Sequence, residues 1–144
     1  MIVLDAYAVL ALLKGEPAAD LVSQLLGRHD DARLTALGAA EVIDHLVRLV
    51  GVSEDDAALD IAQLELADAV SVDAAMAIAA GVLRARHYHR RHRAVSLADC
   101  VAAQAARAHG AALASADPHL LDLCRDEGID RIVLPDTTGR SWEE

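Results

Sequence analysis

Four carboxylates, Asp5, Glu41, Asp99 and Asp117, are of a type and placement that could do metal chemistry. Asp5 closes the apolar run Met1-Ile2-Val3-Leu4, and Asp117 follows a second run, Ala111-Ala112-Leu113-Ala114. Asp99 and Glu41 fall early in two amphipathic helical patterns. In an open parallel sheet, the strand ends and the helix starts that follow them share one edge, where ligands bind. Acids gathered there without a neighbouring lysine repel one another unless a positive charge intervenes, and a divalent cation is the natural candidate. Taken singly, each acid has a plainer use. Asp5 and Asp117 suit helix N-caps, Asp99 suits a capping box with Ser96, and Glu41 suits a solvated helix face. Serine, threonine or asparagine would cap as well, so carboxylates at all three helix starts carry extra weight.

The elements that must position these acids are legible in the hydrophobic pattern. Residues 1–5 are almost wholly apolar, as in a central strand covered on both faces. Helices are expected over 6–14, from Pro17 to about Gly27, over 37–50, from a Ser53 cap, and over 73–86. Ser96-Leu97-Ala98-Asp99 opens a further helix, with Val95 and Cys100 placed to staple it, and Gly110 ends it. Another helix follows Asp117-Pro118 to about Glu127. Strands are expected at 33–35, 69–72, 111–114 and 131–134. This alternation predicts one three-layer α/β/α sandwich with a central, mostly parallel sheet over 1–134, leaving 135–144 as a tail.

Composition narrows the classes. With 54% hydrophobic residues, no Phe, two Tyr and one Trp, the core must rely on Ala, Leu, Val and Ile. The apolar stretch 74–83 is too short to span a bilayer. The amino terminus enters a strand with no basic region ahead of it, so neither membrane nor secretory targeting is expected. Cys100 and Cys124 read as buried thiols of a reducing compartment, and the cytoplasm is the expected location. The net charge of −10 argues against indiscriminate nucleic-acid binding.

Charge distribution is more telling than its sum. No Asp or Glu occurs between Asp73 and Asp99, and that gap holds Arg84, Arg86, Arg90, Arg91 and Arg93 with His87, His89 and His92. Three readings are open: a solvated helix end and loop, an RNA-contacting rim leading to Asp99, or a zinc site built from the three histidines. His119, close to Asp117, reads as a surface residue.

The segments Ile2-Val3-Leu4-Asp5, Ala40-Glu41-Val42, Ser96-Leu97-Ala98-Asp99-Cys100 and Ser115-Ala116-Asp117 together resemble the PIN domain, in particular the VapC-type toxin ribonucleases of bacterial and archaeal toxin–antitoxin pairs. The resemblance runs from the first strand to Leu134 and is most specific between Arg86 and Leu120. It implies that Asp5, Glu41, Asp99 and Asp117 bind magnesium or manganese and cleave RNA. It also implies that Ser115 fills the hydroxyl position two before the last acid; Ser115 is grouped with the five arginines as a candidate RNA contact. A cognate antitoxin and a homodimer are the implied partners, with the apolar stripes of 17–27 and 37–50 available to either. Two positions depart from the family pattern: Tyr7 replaces the common serine two after the first acid, and Gly38 the frequent asparagine three before the glutamate. Both would orient the carboxylates, so their replacement keeps open a catalytically weakened RNA- or protein-binding module. A phosphoacceptor receiver site would need a lysine late in the chain, and Lys14 is the only lysine.

Overall fold

A computed structural model describes residues 1–28 and 31–143 of the chain. Four strands, β1 (Ile2–Leu4), β2 (Ala32–Arg33), β3 (Ala112–Ser115) and β4 (Arg131–Val133), form an entirely parallel sheet in the order β2-β1-β3-β4. Helices α1 (Ala6–Lys14), α2 (Ala19–Arg28), α3 (Ala36–Asp44) and α4 (Glu54–Gln63) cover one face. Helices α5 (Ala74–His87), α6 (Leu97–His109) and α7 (Pro118–Asp126) cover the other. The result is the expected three-layer α/β/α sandwich. No described helix is long and apolar enough to cross a membrane.

The two cores divide β1 by side-chain parity, as a strand buried on both faces requires. Ile2 and Leu4 join Val9, Val22, Val42 and Ile61 on one side, while Val3 joins Val101, Leu113, Leu120 and Leu123 on the other. In the absence of Phe, alanines let the layers approach. Ala102, Ala103, Ala105 and Ala106 of α6 are all buried against the sheet and α5.

Several boundaries differ from the sequence expectation. The strand expected at 33–35 pairs only over 32–33, because Thr35 leaves the ladder to cap α3, accepting from the Gly38 amide at 2.9 Å. The strand expected at 69–72 shrinks to one parallel bridge, Thr35 with Val70, because Asp73 is already turned to cap α5. The strand expected at 111–114 begins one residue later. After Gly110 adopts φ 59°, the Ala111 amide is spent on the Ala106 carbonyl at 2.8 Å, completing the helix cap. The single helix expected over 37–50 stops being α-helical at Asp44 and continues as π-helical turns from His45 to Val50. That widening rotates Leu49 and Val50 out of the apolar stripe, leaving them 60% and 48% exposed.

Beyond β4 the chain turns back. The Tyr7 hydroxyl donates to the Pro135 carbonyl at 2.8 Å, Asp136 accepts from Thr138 and Arg140, and Arg125 and Arg131 lie near the Trp142 ring. The expected tail ran to Glu144, which lies outside the described residues.

Candidate metal centre

Strand order reverses between β1 and β3: the chain leaves β1 for β2 on one side and later returns to β3 on the other. At such a switch point the two outgoing connections diverge and leave a crevice beyond the strand ends. Asp5 ends β1 there, with its amide bonded to the Ala114 carbonyl at 3.1 Å, and Asp117 follows β3. Helices α3 and α6, in contact across this edge, bring Glu41 and Asp99 to it. All four predicted acids line one cleft of about 160 Å³, together with Tyr7, Thr35 and Gly38.

Local chemistry fixes each acid. Asp5 caps α1 by accepting the Ala8 amide at 2.9 Å on one oxygen, and its other oxygen accepts the Ser115 hydroxyl. Ser115 in turn accepts the Asp117 amide at 3.0 Å, while Asp117 caps α7 by accepting from the His119 amide at 2.8 Å. Asp99 completes the expected capping box: its carboxylate accepts the Ser96 amide at 2.7 Å and its amide donates to the Ser96 hydroxyl at 3.0 Å. The capping and site readings of these acids are therefore compatible, since each cap occupies only part of a carboxylate's acceptor capacity. Glu41 has no hydrogen-bond or ion-pair partner among the described residues and keeps both oxygens available.

Electrostatics set this cluster apart from ordinary caps. Burial pushes the Asp5 carboxyl up to about 7, against the opposing bonds from Ser115 and Ala8, and repulsion from Asp99 and Asp117 adds to the rise. Burial also raises Asp99, with Asp117 adding to it, and raises Glu41, with Asp99 adding to it. Only His119 acts on Asp99 as a compensating positive group. A buried, all-oxygen donor set short of positive charge suits a hard divalent cation such as magnesium or manganese. As placed, no three His, Cys, Asp or Glu side chains among the described residues are already closed around a common point. Cation binding would draw the acids together.

The predicted RNA-contacting residues divide. Arg84 donates to the Val95 carbonyl at 2.9 Å and covers the Tyr88 ring. Arg86 pairs with Glu127 and Arg93 with Asp126. Arg90 and Arg91 are exposed on the loop between α5 and α6 and hold no ion pair among the described residues. The His119 ring nitrogen lies 3.2 Å from the His92 carbonyl, tying this loop to the residue two after Asp117. Ser115 is fully buried, with its hydroxyl committed to Asp5 and Asp117, so it sits behind the carboxylates rather than on an RNA-facing rim. The three histidines do not converge: His87 is bonded to Glu127, while His89 and His92 stack on each other.

Two site residues escaped the sequence reading. Thr35 was read as a strand residue, yet its buried hydroxyl faces the cleft from the start of α3. Its signal was present in the sequence: a threonine immediately before a helical stripe is an N-cap. Gly38 packs against it, since a Cβ there would stand 3.3 Å from the Thr35 hydroxyl and 3.5 Å from the Leu34 side chain. His119 was read as a surface residue, and no local pattern marked its approach to Asp99.

Known proteins share this arrangement of elements. The FitAcB crystal structure from Neisseria gonorrhoeae superposes with a TM-score of 0.68 at 19% identity, covering 92% of this chain and 96% of that one. VapBC2 from Rickettsia felis, bound to a DNA fragment from its promoter, gives 0.67 at 16% identity, covering 92% and 98%. FitAB bound to an IR36 DNA fragment gives 0.66 at 18% identity, covering 92% and 94%. At such identities the likeness is one of fold. No individual curated protein sequence matches the chain. The PIN domain family model, however, matches residues 2–126, a span that holds all four acids and both layers of helices, and the chain belongs to that family.

Proposed function

We propose that this protein is a metal-dependent endoribonuclease that cuts single-stranded or structured RNA, acting as the toxin of a type II toxin–antitoxin pair. The observation that carries the reading is the cleft at the β1/β3 switch point, lined by carboxylates from four separate stretches of chain with almost no cationic compensation. Family membership agrees with nuclease chemistry. The fold likeness to FitAB and VapBC2 agrees with the toxin–antitoxin setting.

Asp5, Asp99, Glu41 and Asp117 would hold the ion. When bound, magnesium or manganese would neutralise charge at the scissile phosphate and acidify a coordinated water. The chain's own groups do the rest. Ser115 fixes the orientation of Asp5 and holds the Asp117 amide, so two acids from different strands keep one relative placement. The Ser96 cap holds Asp99 at the first turn of α6. Glu41, without a partner and with its pKa raised by burial, is suited to accept the proton of the attacking water. Exposed Arg90 and Arg91 offer phosphate contacts beside the cleft. The setting is cytoplasmic, with the protein as a homodimer neutralised by a cognate antitoxin. Exposed Leu49, Val50, Leu59, Ile78 and Val82 supply apolar surface for such partners.

The test is to incubate purified protein with RNA and magnesium, then to repeat the reaction with chelator and with Asp99→Asn. Cleavage abolished by both changes is the expected result. Cleavage that survives either change overturns the reading. RNA binding with no cleavage by the wild-type protein would instead identify a binding module.

A further inference from the structure

A second cleft, of about 360 Å³, adjoins the acid cleft and shares Ala6, Tyr7 and Glu41 with it. It is lined by Lys14, His45 and Arg48, and the returning tail contributes Thr137 to its wall. The chain's only lysine is thus placed one side chain away from the acid cluster. Tyr7 stands at the junction, and its hydroxyl is held by the Pro135 carbonyl. Both clefts use the tyrosine as a wall, at the position where the family pattern commonly has serine.

We propose that this second cleft is the binding subsite for the RNA nucleotide adjoining the scissile phosphate, with the Tyr7 ring as a stacking platform and Lys14, His45 and Arg48 as phosphate contacts. The inference rests on the ribonuclease reading and deepens it by assigning the path of a single strand. Proteins that hold single strands pair a cationic track with an aromatic face, because every base offers a π surface and every step a phosphate. Aromatics are scarce here, with two Tyr and one Trp in the whole chain, and one of them borders both clefts.

The cations are not locked elsewhere. Arg48 pairs with Asp44 at 2.8 Å, but both side chains are more than half exposed, and such a pair is weak enough to exchange for a phosphate. Lys14 lies 3.1 Å from Glu16 and 3.3 Å from the His45 ring nitrogen, so it can swing between partners already within reach. The carboxylates of Glu16, Asp44 and Glu41 in the same cleft would reject a strand lacking these cations. The exposed Arg90–Arg91 loop lies beyond Asp117, joined to it through His119 and His92. A strand laid across the acids would therefore meet positive charge on both sides.

The experiment measures binding of a labelled single-stranded RNA to the full chain carrying Asp99→Asn in magnesium, across a salt series, and cleavage kinetics in the Asp99 background. Lys14→Gln with Arg48→Gln should lower the slope of log affinity against log salt by about 1. Tyr7→Leu should weaken binding roughly 5- to 100-fold and raise KM, whereas Tyr7→Phe, which keeps the ring and loses only the Pro135 bond, should bind like wild type. The lysine and arginine are exposed, so their replacement tests the cleft even if Tyr7→Leu unfolds. If the wild-type protein cleaves RNA but the charge variants keep its salt slope and affinity, the subsite is overturned and the nuclease reading stands. If the wild-type protein neither binds nor cleaves RNA, both fall together.

Discussion

The Ser115 hydroxyl donates to the Asp5 carboxylate across 110 residues of sequence, joining the ends of β3 and β1 at the point where the sheet order reverses. The same oxygen accepts the Asp117 amide, so a single buried serine sets the relative placement of two candidate ligands. Ser115→Ala should weaken magnesium or manganese binding by roughly 10- to 100-fold and reduce cleavage accordingly. It should also destabilise the fold by about 1–3 kcal/mol, because a buried carboxylate and an amide lose a partner. Metal titration of cleavage and a denaturant melt check the two effects, and Ser115→Thr should restore both. A variant with unchanged metal dependence would remove Ser115 from the site.

Asp5 governs the pH response. Its carboxyl, raised by burial to about 7 from an ordinary value near 3.8, favours the neutral acid in the folded chain. Its stabilising contribution is therefore complete below about pH 4 and is lost as pH rises through 7. Without metal, Asp5→Asn should melt higher than wild type at pH 8, by an amount worth about 2–4 kcal/mol, and the gap should close by pH 5. Magnesium should reverse the order at pH 8 by stabilising the wild-type carboxylate. Cleavage should fall as pH drops below 7, when protons compete for Asp5. Melting curves in chelator and in magnesium at the two pH values check this; an Asn variant less stable than wild type at pH 8 in chelator would contradict it.

Glu127 closes the far side of the α5–α6–α7 layer. His87 above all, with Arg107 and Arg86, holds its carboxyl down to about 2, against its burial. A depressed acid contributes stability above its ordinary range near 4.5 and loses it as pH falls toward 2. Glu127→Gln should destabilise the protein by roughly 1–3 kcal/mol at pH 7, with the difference from wild type shrinking under strongly acid conditions. Urea melts at pH 7 and pH 3 measure it. An equal loss at both pH values would rule out the charged clamp.

Sequence alone determined the parts whose causes are local. The continuous apolar run of β1 forces a strand buried on both faces, and the capping signals Ser96-Leu97-Ala98-Asp99 and Asp117-Pro118 set helix starts where the structure has them. Strand–helix alternation then implied a parallel sheet, and that implied a common edge for Asp5, Asp99 and Asp117. Tertiary structure decided what depends on partners distant in the chain. Only packing could shorten the strand expected at 69–72 to a single bridge, because a strand exists to the extent that a neighbour answers its hydrogen bonds. Only packing could bury the Ser115 hydroxyl against Asp5, and raise the Asp5 carboxyl by withdrawing water from it. The fates of the arginines were settled the same way: Glu127 and Asp126 took Arg86 and Arg93, while Arg90 and Arg91 stayed in solvent. Charge type is written in the residue, but its energy comes from the dielectric and the neighbours that folding supplies.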